Sequence, residues 1–288
     1  MTEALPTRRD EAWKYSDLRA ALGGERHVLR DGRDIIERLA PGTQSLSVPA
    51  GEQRVFAERM DDARYLDARA FDWEIGDGGS LTRVVFQSGA ATALSVARIS
   101  LARGGVFRQF ILAEGAKLAR IETHVEIEGD AAAVELHGVY LCADGRHADL
   151  TSVVAHKAPG SKTRQLIKGV ARKGGRGVFQ GKILVERGAQ KTDARQYHHG
   201  MLLEEGAEIL AKPELMIHAD DVACAHGNTA GGLDENALFY LRSRGVPEAE
   251  ARALLTEAFL MEAVPDWLPA DVYGEVEARI GAWLRGGP

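Results

Sequence analysis

The stretch ARIETHVEIE, residues 119–128, alternates apolar and polar side chains and runs into the turn at 129–131. Period-two alternation over this length is typical of a half-buried β-strand. Similar segments follow, VELHGVYL at 134–141 and KILVE at 182–186. Because no helical segments of roughly 10–15 residues separate these strands, a doubly wound α/β fold is disfavoured. The region from about 80 to 226 is therefore predicted to be all-β.

Glycine-centred turns separate the predicted strands. They are Glu114-Gly115-Ala116, Gly129-Asp130-Ala131, Arg187-Gly188-Ala189 and Glu205-Gly206-Ala207. Short strands of this kind fit a sandwich, a barrel or a β-helix. The recurrence of Gly-Ala turns indicates a loosely repeating coil, as in a β-solenoid, although the repeat is irregular.

Helical patterns mark both ends of the chain. Residues 8–22 carry apolar side chains at spacings of three and four, and residues 34–39 form a second short helical segment. Towards the end, Asp234 suits an N-cap, Pro247 suits a helix start, and residues 270–284 repeat an apolar side chain every four positions. We therefore predict a mainly β fold with an N-terminal helical region at 1–75, a β core at 76–228 and a C-terminal helical domain at 229–288.

The composition is that of an ordinary globular protein. The chain has 288 residues, a net charge of −6 and a pI near 5.9, which disfavours a dedicated nucleic-acid surface. No run of about 18 apolar residues predicts a membrane span, and no cleavable apolar start follows Met1. Two cysteines, Cys142 and Cys224, indicate reduced thiols in the cytoplasm rather than a disulfide framework.

The segment Cys224-Ala225-His226 is the first candidate for chemistry. Residues i and i+2 of a strand share a face, so a thiolate and an imidazole could together bind a thiophilic metal. The alternative is a cysteine that packs as a small apolar residue beside a hydrogen-bonded histidine. A stable metal site normally needs four ligands, so the others would come from elsewhere, including another chain.

A second hypothesis is a histidine-based metalloenzyme on an all-β fold. It would combine His199, His218, Asp220 and His226, whereas the plainer interpretation is scattered surface histidines and turn aspartates. The chain contains no His-Glu-x-x-His motif, no phosphate-binding P-loop and no Gly-x-Ser-x-Gly motif. Nothing in the sequence therefore supports ATP hydrolysis or a serine nucleophile.

Residues 168–177, KGVARKGGRG, are basic and rich in glycine. Such a segment could contact an anion or RNA. A solvated turn between strands is the alternative, and no aromatic side chains interleave with the charges to form a stacking platform for bases.

Three stretches carry a family resemblance. They are RDEAWKYSDL at 9–18, QKTDARQ at 190–196 followed by Leu202-Leu203, and residues 212–245, which include KPEL, DVACAHG, GLD and LFYLRSRG. Together they resemble the SufB/SufD family of iron–sulfur cluster assembly proteins. The second neighbourhood reads Tyr197-His198-His199-Gly200, without the cysteine of SufB-type chains, so the resemblance is to the SufD branch.

The resemblance implies a right-handed parallel β-helix flanked by helical regions, and a non-catalytic scaffold subunit of a SufBCD complex. It implies pairing with a SufB-type subunit through the β-helix end, or with a second copy when that subunit is absent. It also implies docking of a SufC-type ABC ATPase on the C-terminal helices, where Leu254, Leu255 and Phe259 are the predicted contacts. No nucleic acid or membrane partner is expected.

The same resemblance gives the candidate metal ligands. His226 occupies the position of an interface histidine, and Cys224 is carried over as its neighbour. The cargo would be a nascent iron–sulfur cluster, present only transiently and only in the complex. No cofactor is expected to bind tightly to the isolated chain.

Overall fold

A computed structural model describes residues 5–23, 27–61 and 65–286. Within these ranges fourteen strands form two seven-stranded sheets, and consecutive strands alternate between the sheets. Sheet A contains β1 Thr43–Val48, β3 Leu66–Ile75, β5 Thr92–Leu101, β7 Leu118–Ile127, β9 His147–His156, β11 Arg176–Val185 and β13 Glu208–Ile217. Sheet B contains β2 Gln53–Met60, β4 Ser80–Gln87, β6 Val106–Ala113, β8 Ala133–Cys142, β10 Lys162–Ala171, β12 Asp193–Leu202 and β14 Ala223–Gly231.

Every strand pair is parallel, so the chain winds as a parallel β-helix in which each coil adds one strand to each sheet. The predicted fold class is confirmed. Alternate residues of each strand point inward and stack on the equivalent residues of the next coil, as Ile121 stacks on Leu150 and Leu136 on Gln165. The interior is therefore continuous along the helix, and a coil rests only on its two neighbours.

The β-helix starts earlier than predicted. Its first strand begins at Thr43, so the boundary predicted at residue 76 lies after β3, inside the sheets. The first coil was not predicted from the sequence pattern because β1 and most of β2 are exposed at the end of the β-helix. An exposed strand needs no apolar face, so TQSLSV shows little alternation between apolar and polar residues.

The N-terminal region follows the surface of sheet A instead of forming the single helix predicted over 8–22. Glu11–Trp13 is one 3-10 turn, and the helices are α1 Leu18–Leu22 and α2 Ile35–Leu39. Asp17 caps α1 by accepting a hydrogen bond from the amide of Ala20 at 2.9 Å. Both helices bury apolar side chains on the outer face of strands β3, β5 and β7.

The C-terminal helices are α3 Glu235–Ser243, α4 Glu248–Met261 and α5 Ala270–Leu284. The Asp234 cap is confirmed, because its carboxylate accepts from the amides of Asn236 and Ala237 at 2.8 and 3.2 Å. Helices α4 and α5 return to the outer face of sheet B, and Leu260, Ile280 and Trp283 pack there. No described helix is long and apolar enough to cross a membrane.

Two charged clusters are buried in this scaffold. Inside the first coils, the guanidinium of Arg83 bonds the Glu58 carboxylate at 2.5 Å, and both side chains are fully buried. Under the N-terminal region, Arg120 bonds Glu122 at 2.6 Å and Asp149 at 2.8 Å. The ring of Trp13 covers that guanidinium, whose central carbon lies 4.1 Å from the centre of the ring. Such charges stay ionised in the interior only because each one is paired.

Candidate functional site

The last coil, β13 with β14, is the open end of the β-helix. These two strands are the outermost members of their sheets, so one edge of each has no strand partner among the described residues. In the coil before, the inward side chains Phe179, Ile183 and Val185 are fully buried. In β13 the equivalent side chains are only half-buried, and Ile217 is exposed. The apolar interior is therefore left uncovered at this end.

Cys224 and His226 lie on the inward face of β14, next to that opening. Cys224 is half-buried against Ile183, Val185 and Leu215. Burial raises the pKa of its thiol, which favours the protonated form. His226 lies opposite Gln196 of β12 and is exposed. The cysteine thus packs as a small apolar side chain, while the histidine on the same inward face is exposed at the open end.

A chain of hydrogen-bonded polar side chains leads inward on the same face, from the exposed Asn228 to the buried His198 and Tyr140. The Asn228 amide oxygen is 2.6 Å from Nδ1 of His198, and Nε2 of His198 is 2.9 Å from the hydroxyl of Tyr140. The His198 ring also stacks on Phe179, with centroids 5.0 Å apart. Burial lowers the pKa of His198 to about 4, so the imidazole is neutral at pH 7.

The space for Tyr140 comes from glycines. A Cβ atom on Gly169 or Gly177 would lie 2.1 Å from the ring of Tyr140, and one on Gly200 would lie 3.3 Å from its hydroxyl oxygen. A side chain at Gly169 or Gly177 is incompatible with this position of the ring, and one at Gly200 would be in tight contact with its hydroxyl. This polar chain was not anticipated, because its members lie on different coils and their contact depends on the register of the sheets.

The four residues of the metalloenzyme hypothesis are not brought together. His199 faces the helices on the outside of sheet B, where its Nδ1 lies 2.7 Å from the hydroxyl of Thr229. His226 faces the interior side of β14, and His218 with Asp220 lies in the exposed turn between β13 and β14. Within the described ranges, no three His, Cys, Asp or Glu side chains are grouped closely enough to hold a metal ion.

The predicted docking stripe on α4 is only partly accessible. Leu254 is 46% exposed, whereas Leu255 and Phe259 are half-buried, and Nζ of Lys168 lies 4.3 Å from the centre of the Phe259 ring. The buried face of α4 is formed by Ala251, Thr256 and Leu260. Leu254 therefore points away from sheet B.

Helix α3 carries two further exposed aromatic side chains. Phe239 is 73% exposed and Tyr240 57% exposed, although both follow the buried Leu238. Of helix α3 the sequence pattern predicted only the N-cap Asp234, and it gave no role to Phe239 or Tyr240. Two adjacent aromatic residues on so short a helix were the available signal of a contact surface, because large apolar side chains gain nothing from exposure to water.

Comparison with known proteins places this architecture. Residues 47–259 match the family model described as SUF system FeS cluster assembly, SufBD core domain. The chain belongs to the SufBD family of iron–sulfur cluster assembly proteins. The matched segment begins within β1 and ends within α4, so it covers almost all of the β-helix and the first C-terminal helices.

Relatives within the SufBD family are similar at moderate identity. A SufBD family protein of Synechocystis is 34% identical over 214 residues, which cover 74% of this chain and 47% of the relative. Escherichia coli SufD is 28% identical over 230 residues, which cover 79% of this chain and 54% of SufD. The chloroplastic protein ABCI7 of Arabidopsis thaliana is 38% identical over 151 residues, which cover 52% of this chain and 32% of ABCI7. The chain thus spans about half the length of the first two of these relatives.

Proposed function

We propose that this SufBD family member is a non-catalytic scaffold subunit of the SufD type. It would pair through its last coil with a SufB-type subunit and carry a SufC-type ABC ATPase on its C-terminal helices. The cytoplasm, where thiols such as Cys142 and Cys224 stay reduced, would be its compartment.

The observation that carries the pairing is the uncovered last coil. An open strand edge beside a half-buried apolar interior accepts further strands, because main-chain hydrogen bonds and apolar burial are gained together. A homologous β-helix end offers the complementary edge. When no such subunit is present, a second copy of this chain could occupy the same edge.

His226 supports the proposed place of cluster assembly. Its imidazole lies on the inward face of the strand at the open end, so a subunit docked there would enclose it. Imidazole nitrogen is a suitable iron ligand. One histidine beside a protonated cysteine is too few ligands for a metal, so the remaining ligands would come from the paired subunit and the cluster would be cargo of the complex.

Replacement of His226 by Ala tests the ligand role. The tagged chain is co-expressed anaerobically with the SufB-type and SufC-type subunits of its own organism, and iron, sulfide and molecular mass are measured. We expect an intact complex whose iron content falls by at least about half, since one ligand of the proposed site is lost. His218→Ala, an exposed histidine in the adjacent turn, is the control and should keep its iron.

The same preparation distinguishes the scaffold role of the chain from the ligand role of His226. A normal complex with unchanged iron in His226→Ala would remove His226 from the site and leave the scaffold role intact. Failure of the wild-type chain to assemble with either subunit would contradict the scaffold role itself.

Replacement of Leu254 by Asp tests the ATPase surface. Leu254 and the aromatic pair on α3 are exposed, so a charge there should leave the fold intact while disrupting an apolar contact. We expect affinity for the ATPase to fall at least about tenfold, measured by titration of the purified subunits. Val55→Asp is the matched control, because Val55 is apolar and even more exposed, 67% against 46%, but lies in the first coil. Equal affinities for wild type and Leu254→Asp would exclude this surface.

A further inference from the structure

A basic pocket lies at the corner where strands of sheet B turn into strands of sheet A. Its volume is about 240 Å³, and it is formed by the stacked turns that precede β7, β9, β11 and β13. Its charged side chains are Lys117, Arg146, Arg176 and Glu208, and His147 completes the polar lining. From this pocket we infer a binding site for a small phosphate-bearing anion.

The first argument is an excess of positive charge. Arg176 bonds Glu208, with Nε 2.6 Å from the carboxylate. Arg146 instead donates to the main-chain carbonyls of Ser88 and Gly115 at 3.2 and 3.1 Å, and so keeps its full charge. Lys117 is exposed and pairs with no carboxylate among the described residues. Three cations therefore face one carboxylate, in a protein whose net charge is −6.

The second argument is the spacing that the β-helix imposes. Lys117 precedes β7, Arg146 precedes β9 and Arg176 begins β11, and these three strands are consecutive neighbours in sheet A. Adjacent strands lie about 4.8 Å apart, so the cations come from three successive coils within roughly 10 Å. Like charges held this close are unfavourable without a counter-ion, and a bound anion would relieve their repulsion.

The environment of His147 fits the same assignment. Burial chiefly, with help from the charges of Arg176, Arg120 and Arg8, lowers the pKa of His147 to about 4 despite the opposing Asp149. Nε2 of His147 lies 3.3 Å from the hydroxyl of Ser16, and the neutral imidazole adds no charge to the pocket at pH 7. Of these arginines Arg176 lines the pocket, so its effect on the ring agrees with the excess of cations that the geometry shows.

Size and shape select the class of ligand. A volume of about 240 Å³ is below the roughly 300 Å³ at which pockets for larger organic ligands begin. Glycines at the turns, including Gly145, Gly174 and Gly206, leave the opening free of side chains. No aromatic ring lines the pocket, so it lacks the stacking surface that bases of RNA require. Phosphate or diphosphate, free or at the end of a nucleotide, is the fitting group.

Calorimetric titration of the full chain tests this site, with inorganic phosphate, pyrophosphate and ATP as probes at low ionic strength. We expect saturable binding of pyrophosphate that weakens about tenfold or more in Lys117→Ala and is retained in Lys117→Arg. Lys162→Ala removes an exposed lysine that begins β10, at the opposite corner where sheet A turns into sheet B, and should bind as wild type does. The ring signals of His147 should shift in NMR spectra as pyrophosphate is added.

The probes separate the two sources of the phosphate group. Tighter binding of ATP than of pyrophosphate, with the same dependence on Lys117, would assign the site to the phosphate tail of a nucleotide. Equal or weaker binding of ATP would assign it to the free anion. The inference would be overturned by three results: no saturable binding of any probe, equal weakening by Lys162→Ala, or tighter Lys117-dependent binding of a single-stranded RNA oligomer.

Discussion

Replacement of Arg83 by Met is expected to lower the free energy of unfolding by about 3–5 kcal/mol. Arg83 lies fully buried inside the first coils, where it donates to Glu58, to Gln109 Oε1 at 2.9 Å and to Ser95 Oγ at 2.8 Å. The second carboxylate oxygen of Glu58 already lacks a hydrogen-bond partner. Removal of Arg83 would leave a buried carboxylate without its counter-ion, which is far more costly than the loss of an exposed pair.

Urea unfolding followed by circular dichroism gives this difference. Arg54→Met is the matched control, because Arg54 pairs with Glu52 in the same region while about half of each side chain is exposed. We expect a change below about 1 kcal/mol for the control. The double variant Arg83→Met with Glu58→Leu should recover most of the stability, since neither charge then remains buried. A single variant as stable as the control would show that the Glu58 carboxylate is solvated or protonated in the native protein.

Replacement of Glu122 by Gln should produce a loss of stability that depends on pH. Burial alone would raise the pKa of Glu122, but Arg120 and His124 outweigh it and lower the pKa to about 2. A carboxylate with a lowered pKa stabilises the folded state above its unfolded pKa, near 4.5, and loses that contribution as pH falls towards 2. A pKa lowered from 4.5 to about 2 corresponds to about 3 kcal/mol of stability at pH 7.

The measurement is the difference in unfolding free energy between wild type and Glu122→Gln at pH 7, 5 and 3. We expect about 3 kcal/mol at pH 7, nearly the same at pH 5, and a smaller difference at pH 3. Glu126→Gln, whose partner Lys157 lies at the surface, should change stability by less than about 1 kcal/mol at each pH. A difference for Glu122→Gln that stays constant down to pH 3 would contradict the lowered pKa.

Much of the fold could be predicted because a β-helix repeats one rule. Inward and outward positions alternate along each strand, so 119–128 and its counterparts were recognised from the sequence. The last helix was placed at Ala270–Leu284, as observed, because its apolar side chains recur every four positions. The first coil was missed, since it lies at an exposed end where no apolar face is required.

The candidate site was predictable only in part. Spacing of two along a strand correctly placed Cys224 and His226 on one face, and the resemblance to the SufB/SufD family singled them out. The side chains from other coils that contact this face could not be predicted. Tyr140 and His198 are 58 positions apart in the chain, and their contact depends on the register between β8, β10 and β12. The basic residues of the anion pocket likewise come from separate coils.

The parallel winding also has a geometric consequence for self-association. Its two ends differ chemically: one shows β1 and β2 with the charged pair Glu52 and Arg54, and the other shows the uncovered apolar interior of β13 and β14. Two chains that join by identical ends form a two-fold symmetric pair and stop there. Chains that joined by unlike ends would leave a free end after each addition and grow into a filament. The first coil is polar and charged and the last coil is apolar, so two last coils match each other better than a first coil matches a last coil. The chemistry of the ends therefore favours the closed pair.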